Sequence, residues 1–332
     1  MKLRWKSATA LLGTALFAAT LAFTATAFGK DLRFAHVYEM KTPYHEAALM
    51  AAEELEEKTA GRYTMKVFPA SSLGKEEAIS EAISLGTIDI IYIDCGFASR
   101  SFGPIGISEY PFTMRGYKHW KAYTESELFA ELTEGYKEAT GGATVAAVTY
   151  YGARQVTANK PILTPEDMKG LKIRVPNAAS YALFPQALGA SPTPMAFSGV
   201  YRALQQNVVD AQENPLLTIQ SEKLYEVQSD INLTAHITNS LITVVSGSTL
   251  EKMDAADRKI LIEALKSSAR WASDQIVQAE TDLVAWFRNK GIAVNEVDRA
   301  PFAAAVKPYL LAEDMRWPPE IFERLQAIPD AP

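Results

Sequence analysis

From Leu32 to Ile93 three short apolar runs are separated by two stretches of helical period, and this alternation constrains the fold more than any other feature of the chain. Leu32 to Val37, Tyr63 to Phe68 and Ile88 to Ile93 read as strands, while Tyr44 to Ala60 and Lys75 to Leu85 carry apolar residues at helical spacing. Gly61 and Gly86 stand where those helices should stop. A β-α-β-α-β order needs crossover connections, so it predicts an α/β fold whose mostly parallel sheet is covered by helices. The helix Tyr117 to Ala139 and the strand Ala143 to Thr149 extend the pattern, with Gly141-Gly142 between them.

A second α/β set begins near Tyr150. It comprises a strand at Ala153 to Asn159, a capped start at Thr164-Pro165-Glu166-Asp167, and a strand at Leu171 to Val175. A helix near Ala178 to Leu188, a short segment around Pro194-Met195-Ala196, a helix from Ser198 to Gln206 and a strand at Val208 to Ala211 complete it. Ile231 to Val245 has enough β-branched residues for one or two strands returning toward the first set, and helices follow at Ala255 to Asn289, Phe302 to Ala312 and Pro319 to Ala327. No repeat and no low-complexity tether interrupts the chain. The expected organisation is two α/β lobes, residues 28–150 plus 239–278 and residues 151–238 plus 279–332, with a ligand cleft between them at the strand ends.

The first 27 residues read as a secretory signal. Lys2, Arg4 and Lys6 precede an uncharged apolar run from Ala8 to Phe23 that ends in Ala25-Thr26-Ala27. A retained anchor is the alternative, because Ser7 to Gly29 is uncharged, but Gly13 and several threonines interrupt it. Cleavage after about Ala27 removes three positive charges and no negative ones, which takes the formal charge from -6 to -9 and the length from 332 to 305 residues. The expected product is an acidic, exported, periplasmic protein with no general affinity for nucleic acid.

Cys95 is the one cysteine, so an internal disulfide, a thiolate zinc cluster and an iron–sulfur site are excluded. His36, His45, His119 and His236 lack metal-ligand spacing, and only His36, at the exit of the first strand, stands where α/β folds bind ligands. No phosphate loop, Gly-x-Gly-x-x-Gly or Gly-x-Ser-x-Gly pattern occurs. Glu76-Glu77 and Glu56-Glu57 read as solvated charge on helix faces. The sequence thus calls for no metal, no cofactor and no catalytic residues.

What it does offer is cations at strand ends. In Leu171-Lys172-Ile173-Arg174-Val175 the alternation puts Lys172 and Arg174 on one face, and Pro176-Asn177 ends the strand. A guanidinium there suits a carboxylate, since its planar fork donates two parallel hydrogen bonds of about 1.5 to 3 kcal/mol each. A surface salt bridge explains Arg174 equally well, and Arg154 has the same ambiguity. Asn214, in Gln212-Glu213-Asn214-Pro215, precedes proline and is biased out of helix, which aims its amide from a loop.

Four ordered segments carry a resemblance: Tyr151-Gly152-Ala153-Arg154-Gln155, Asp167 to Asn177, Gly189 to Ser198, and Val208 to Pro215. Together with Leu32-Arg33-Phe34-Ala35-His36 and Ser72-Leu73-Gly74, they resemble the periplasmic solute-binding proteins of tripartite ATP-independent (TRAP) transporters, dicarboxylate type, over essentially the whole mature chain. The resemblance implies a two-lobed periplasmic binding protein fold that is not an enzyme and that presents a small organic acid to membrane-embedded TRAP permease subunits. It assigns Arg174 to the ligand carboxylate, with Arg154 as a second arginine and Asn214 as an amide contact. Asn177 and Phe197 match further pocket positions, Asp94 falls where sialic-acid binders hold ligand hydroxyls with a glutamate, and Tyr38 and Tyr151, with Tyr44 and Tyr150, are candidate aromatic contacts.

Val37 stands where sialic-acid binders have an asparagine, which separates this chain from them. A second ligand carboxylate would meet Asp94 with like charge, so the residues favour a hydroxylated monocarboxylate or sugar acid, such as a uronate or aldonate. A C4-dicarboxylate receptor, a sialic-acid receptor and a sensory receptor for such an acid are the alternatives.

Overall fold

In the computed structural model residues 29–312 and 315–332 are described, so the segment read as a signal, residues 1–27, lies outside them. Among the described residues ten strands form a single sheet: β1 (Lys30–Ala35), β2 (Tyr63–Phe68), β3 (Ile90–Asp94), β4 (Thr144–Ala158), β5 (Lys172–Val175), β6 (Ser191–Pro194), β7 (Ala211–Pro215), β8 (Asp230–Leu233), β9 (Thr238–Val245) and β10 (Ala293–Glu296). Their order is β2-β1-β3-β9-β4-β7-β5-β6, with β8 also on β4 and β10 on β8.

The α/β class expected from the alternation holds, with one difference. β1 pairs in parallel with β2 and β3, and β5 with β6 and β7, whereas β9 runs antiparallel between β3 and β4. The sheet is therefore mixed rather than mostly parallel. β9 enters straight from β8 through residues 234–237 and has no crossover helix to reverse it.

β4 is one strand where the sequence suggested two. Its first part pairs with β9 and its last five residues, Arg154 to Ala158, pair with β7, so one backbone serves both halves of the sheet. The register shifts between Tyr150 and Gly152, which leaves Tyr151 as the extra residue of a bulge. Gly152 takes φ +114°, and a Cβ there would fall 2.7 Å from Pro215 Cβ, so glycine is required on both counts.

Helices cover the sheet much as their periodicity indicates. Pro43–Lys58 starts with proline in its first turn behind the Thr42 cap, and the 35-residue helix Ala255–Asn289 is capped by Asp254, which accepts from the backbone of Ala256 and Asp257. That long helix runs along β4, where Ser273 accepts from Tyr150 N–H at 3.0 Å and Glu280 from Ala153 N–H at 2.5 Å. The stretch read as one helix from Tyr117 to Ala139 is two, Tyr117–Thr124 and Glu127–Ala139, because Ser126 leaves helical geometry to cap Phe129 N–H at 3.2 Å. The last helix, Pro319–Ala327, returns to Glu127–Ala139, where Arg324 pairs with Glu131 at 2.7 Å. Among the described residues no helix is long and apolar enough to cross a membrane.

Candidate functional site

A narrow cleft lies where β3, β4, β5 and β7 converge, lined by Val37, Tyr38, Glu76, Tyr92, Ile93, Asp94, Phe97, Tyr151, Arg154, Arg174, Pro176, Phe197 and Asn214. Of the eleven candidate contacts named from the sequence seven lie on it; Asn177, His36, Tyr44 and Tyr150 do not.

Arg174 occupies the inward position of β5 and is 1% exposed. Its Nε and Nη2 donate to the Met195 carbonyl at 3.0 and 2.6 Å, and its Nη1 has no hydrogen-bond partner among the described residues. Burial, opposed by the charge of Glu213, pulls this guanidinium down to about 10. It stays charged at neutral pH, with no carboxylate in ion-pair distance among the described residues. A buried donor left unpaired costs about 1 to 3 kcal/mol, more when charged, so the geometry favours an anion at Nη1.

Arg154 is buried beside it in a different condition. Its Nε donates to Glu213 Oε2, its Nη2 to Glu213 Oε1 at 2.8 Å, to the Glu213 carbonyl at 2.7 Å and to Asn214 Oδ1 at 3.3 Å, and its Nη1 to Asn239 Oδ1 at 2.7 Å. Burial opposes the Arg154 charge, but Glu213 with Tyr181 and Tyr151 outweighs it and the net shift is upward; Glu213 is correspondingly lowered. Reading the sequence as two free forks facing one carboxylate therefore overcounts. Glu213 compensates one of them, and its role was missed although the residue sits inside a quoted motif.

Asn214 lies in β7 rather than in a loop, because Ala211 to Pro215 pair with β4. Its Nδ2 donates to Gln212 Oε1 at 2.6 Å, which turns Oδ1 toward Arg154. Phe197 packs near Tyr38 with ring centroids 6.1 Å apart, and Tyr38, Tyr44 and Tyr151 form a cluster with centroids 4.9 to 5.4 Å apart. Tyr44 stands behind the wall, donating to the Tyr151 carbonyl at 3.1 Å, and Tyr150 is turned away to donate to Glu280 at 2.8 Å.

Two acids face the arginines. Asp94 ends β3 and caps the short helix Cys95–Ala98, accepting from Phe97 N–H at 3.0 Å. Burial pushes its carboxyl up to about 6, against the Phe97 N–H and the Arg154 charge. Glu76, read from the sequence as solvated, opens the helix Glu76–Ser84 at the cleft wall and is likewise raised by burial, against its own backbone N–H and the Arg174 charge. Periodicity puts it on a helix, but only the packing of that helix beside β3 and the helix Cys95–Ala98 makes it a lining residue.

Asn177 is exposed and its amide donates to Glu77 Oε1. His36 is buried behind Tyr38: its Nδ1 accepts from Tyr38 N–H at 3.2 Å, and its Nε2 is 3.1 Å from His45 Nδ1. That pattern fixes the proton on Nε2. Burial, then His45, drives the ring down to about 3, so it is neutral and supports the Tyr38 turn from behind. Among the described residues no group of three or more His, Cys, Asp or Glu side chains is arranged to hold a metal ion.

This chain belongs to the bacterial extracellular solute-binding proteins of family 7, the DctP or TRAP type, whose family model matches residues 34–314. The family expected from the four ordered motifs is thus the right one, and it consists of transport solute-binding proteins. The sialic acid-binding periplasmic protein SiaP of Vibrio cholerae is 33% identical over 284 residues, which cover 86% of this chain and 88% of that protein. Solute-binding protein RD1_1052 of Roseobacter denitrificans is 32% identical over 294 residues, 87% of this chain and 89% of its own. Its crystal structure with bound L-galactonate superposes with a TM-score of 0.84 at 30% identity, covering 90% of this chain and 99% of that one. A TRAP periplasmic solute-binding protein of Shewanella oneidensis with bound succinate gives a TM-score of 0.86 at 26% identity, with 90% and 99% covered.

Proposed function

We propose that this protein is the extracytoplasmic receptor of a TRAP transporter for a hydroxylated monocarboxylate, a sugar acid of the uronate or aldonate kind, which it delivers to membrane permease subunits. The observation that carries the reading is Nη1 of Arg174, a buried charged donor without a partner on the wall of the cleft. A ligand carboxylate bound end-on at Nη1 and the free hydrogen of Nη2 satisfies it while the Met195 carbonyl keeps the group in place. Arg154 and Glu213 pair with each other, so a ligand carboxylate is left to balance Arg174. Asp94 and Glu76 then accept from hydroxyl groups on the rest of the ligand. A second carboxylate would approach the same two acids. Val37 offers an apolar wall where the sialic-acid binders offer an amide, which supports a smaller acid than sialic acid.

The cleft is read as the gap between two lobes. The partition of β4 between β9 and β7 supports a division near Tyr150, and the Arg324–Glu131 pair attaches the last helix to the first lobe. Ligand contacts to both walls favour the closed arrangement by population shift.

A thermal-shift screen of uronates, aldonates, sialic acid and C4-dicarboxylates tests the reading, because an acid bound only by the folded chain raises stability by about 2.7 kcal/mol at a hundred times its Kd. The best hit is then titrated against the wild type and Asp94→Asn. A sugar acid should lose tenfold or more in affinity. A diacid as best hit, with equal or higher affinity for the variant, overturns the ligand class; a screen with no shift at all overturns the receptor.

A further inference from the structure

Asn177 and Glu77 stand one residue outside the cleft, each the chain neighbour of a residue on its wall. Pro176 and Glu76 line the cleft; Asn177 and Glu77 do not, and they meet each other instead. Glu77 belongs to the helix Glu76–Ser84 on the β1–β3 side, whereas Asn177 follows β5 on the other side, so their hydrogen bond spans the rim. Arg100 lies on the Glu77 side with Nη1 3.4 Å from the same Oε1, and holds the carboxylate in position for the amide. Pro176 restricts the backbone entering Asn177 and so limits where the amide points.

A second contact follows the same rim. A Cβ built on Gly96 would lie 2.9 Å from Ser180 Oγ and 2.9 Å from Tyr181 Cε2, side chains that open the helix Ala179–Ala187 on the far side. The two sides touch here as closely as backbone allows. Contacts made wall to wall favour the closed arrangement whatever acid lies inside.

We propose that Asn177 and Glu77 form a latch across the mouth of the cleft, which sets the closed population and thereby scales the affinity for every ligand by one factor. Asn177 is then a positioning residue, in place of the ligand contact that the family motif implies. The proposal rests on the two-lobed receptor reading. An apparent Kd is the intrinsic value divided by the fraction of closed, binding-competent molecules, so loss of the latch multiplies all Kd values alike.

Asn177→Ala, Glu77→Ala and the double variant should each raise Kd about three- to tenfold, by the same factor for L-galactonate and for D-glucuronate, and the double no more than either single. A spin-label pair at Leu85→Cys and Leu163→Cys, exposed positions on either side, reads the separation directly, since Cys95 is buried. In the ligand-free protein each variant should shift the distance distribution toward longer values. Losses that differ between the two acids make Asn177 a ligand contact and overturn the latch, as do losses that multiply in the double variant. A ligand-free distribution identical in wild type and variants overturns it whether or not either acid binds. Failure of the wild type to bind any acid sinks the receptor reading alone, and the distances still decide the latch.

Discussion

Two arginines line the cleft, and their partners make them different reagents. Arg154 is held by Glu213 and Asn239, while Arg174 keeps an unpaired Nη1 behind a carbonyl that takes its other two nitrogens. Arg174→Lys preserves the charge but removes the planar fork, and an ammonium cannot serve the Met195 carbonyl and a carboxylate edge together. Affinity for the acid selected by screening should fall about a hundredfold, read by calorimetry; near wild-type binding would make Arg174 structural. Glu109, close behind the cleft, gives a pH prediction. Its carboxyl is fully buried, accepts from Ser240 N–H and Ser108 Oγ, each at 3.0 Å, and from Asn239, and is raised from 4.5 to about 8 by burial and then by Asp94. The folded chain thus holds a proton that the unfolded chain releases near 4.5, so this contribution is complete below about 4.5 and is lost as pH rises toward 8, at of order 1 kcal/mol per pH unit. Urea midpoints of wild type and Glu109→Gln between pH 5 and 8 should diverge, the variant gaining on the wild type as pH rises. Parallel curves would show that Glu109 is ionised throughout.

The elements that meet across the cleft are short, and glycine decides how closely they approach. Gly96→Ala places a Cβ 2.9 Å from Asp94 Oδ1, Ser180 Oγ and Tyr181 Cε2 alike, so it should press on Asp94 as well as on Ser180 and Tyr181 across the cleft. Binding should weaken by about tenfold with little change in melting temperature of the ligand-free protein. Loss of ligand-free stability by more than about 3 kcal/mol would instead assign Gly96 to the core. Elements of this molecule were legible where local chemistry defines them. The long helix runs from Ala255 to Asn289 as its period indicates, and Pro319–Ala327 likewise matches. Ser126 was a readable cap that the apolar period on either side concealed. Of the site, Arg174 was legible from the alternation of its strand, with a surface salt bridge as the equal alternative, whereas Arg154 and Asp94 were singled out through the family resemblance. Glu76, Glu213, Asn177 and His36 were not, since each owes its surroundings to another element: β3 and the helix Cys95–Ala98 for Glu76, the opposite wall for Asn177, β4 for Glu213, and His45 for His36.

Across the whole molecule the same strand and the same long helix run past both halves of the sheet, and no tether joins them. Ser273 and Glu280 fasten the helix to β4 on either side of the Tyr151 bulge. Any motion of one wall against the other must therefore pass through hydrogen-bonded backbone, which allows a bend at the bulge and denies a free swing. The bulge also has a consequence for inheritance and for engineering. Upstream of it, β3 carries Asp94; downstream, the β5 and β7 side carries Arg174 and Asn214. On the proposed receptor reading, the carboxylate anchor and the residues that meet the body of the acid thus belong to separately paired sets of strands that share one backbone. Substitutions that retune which acid is accepted can accumulate on the first set without disturbing the anchor on the second, and a graft that exchanges only the β1–β3 wall between relatives is the natural unit for transferring specificity.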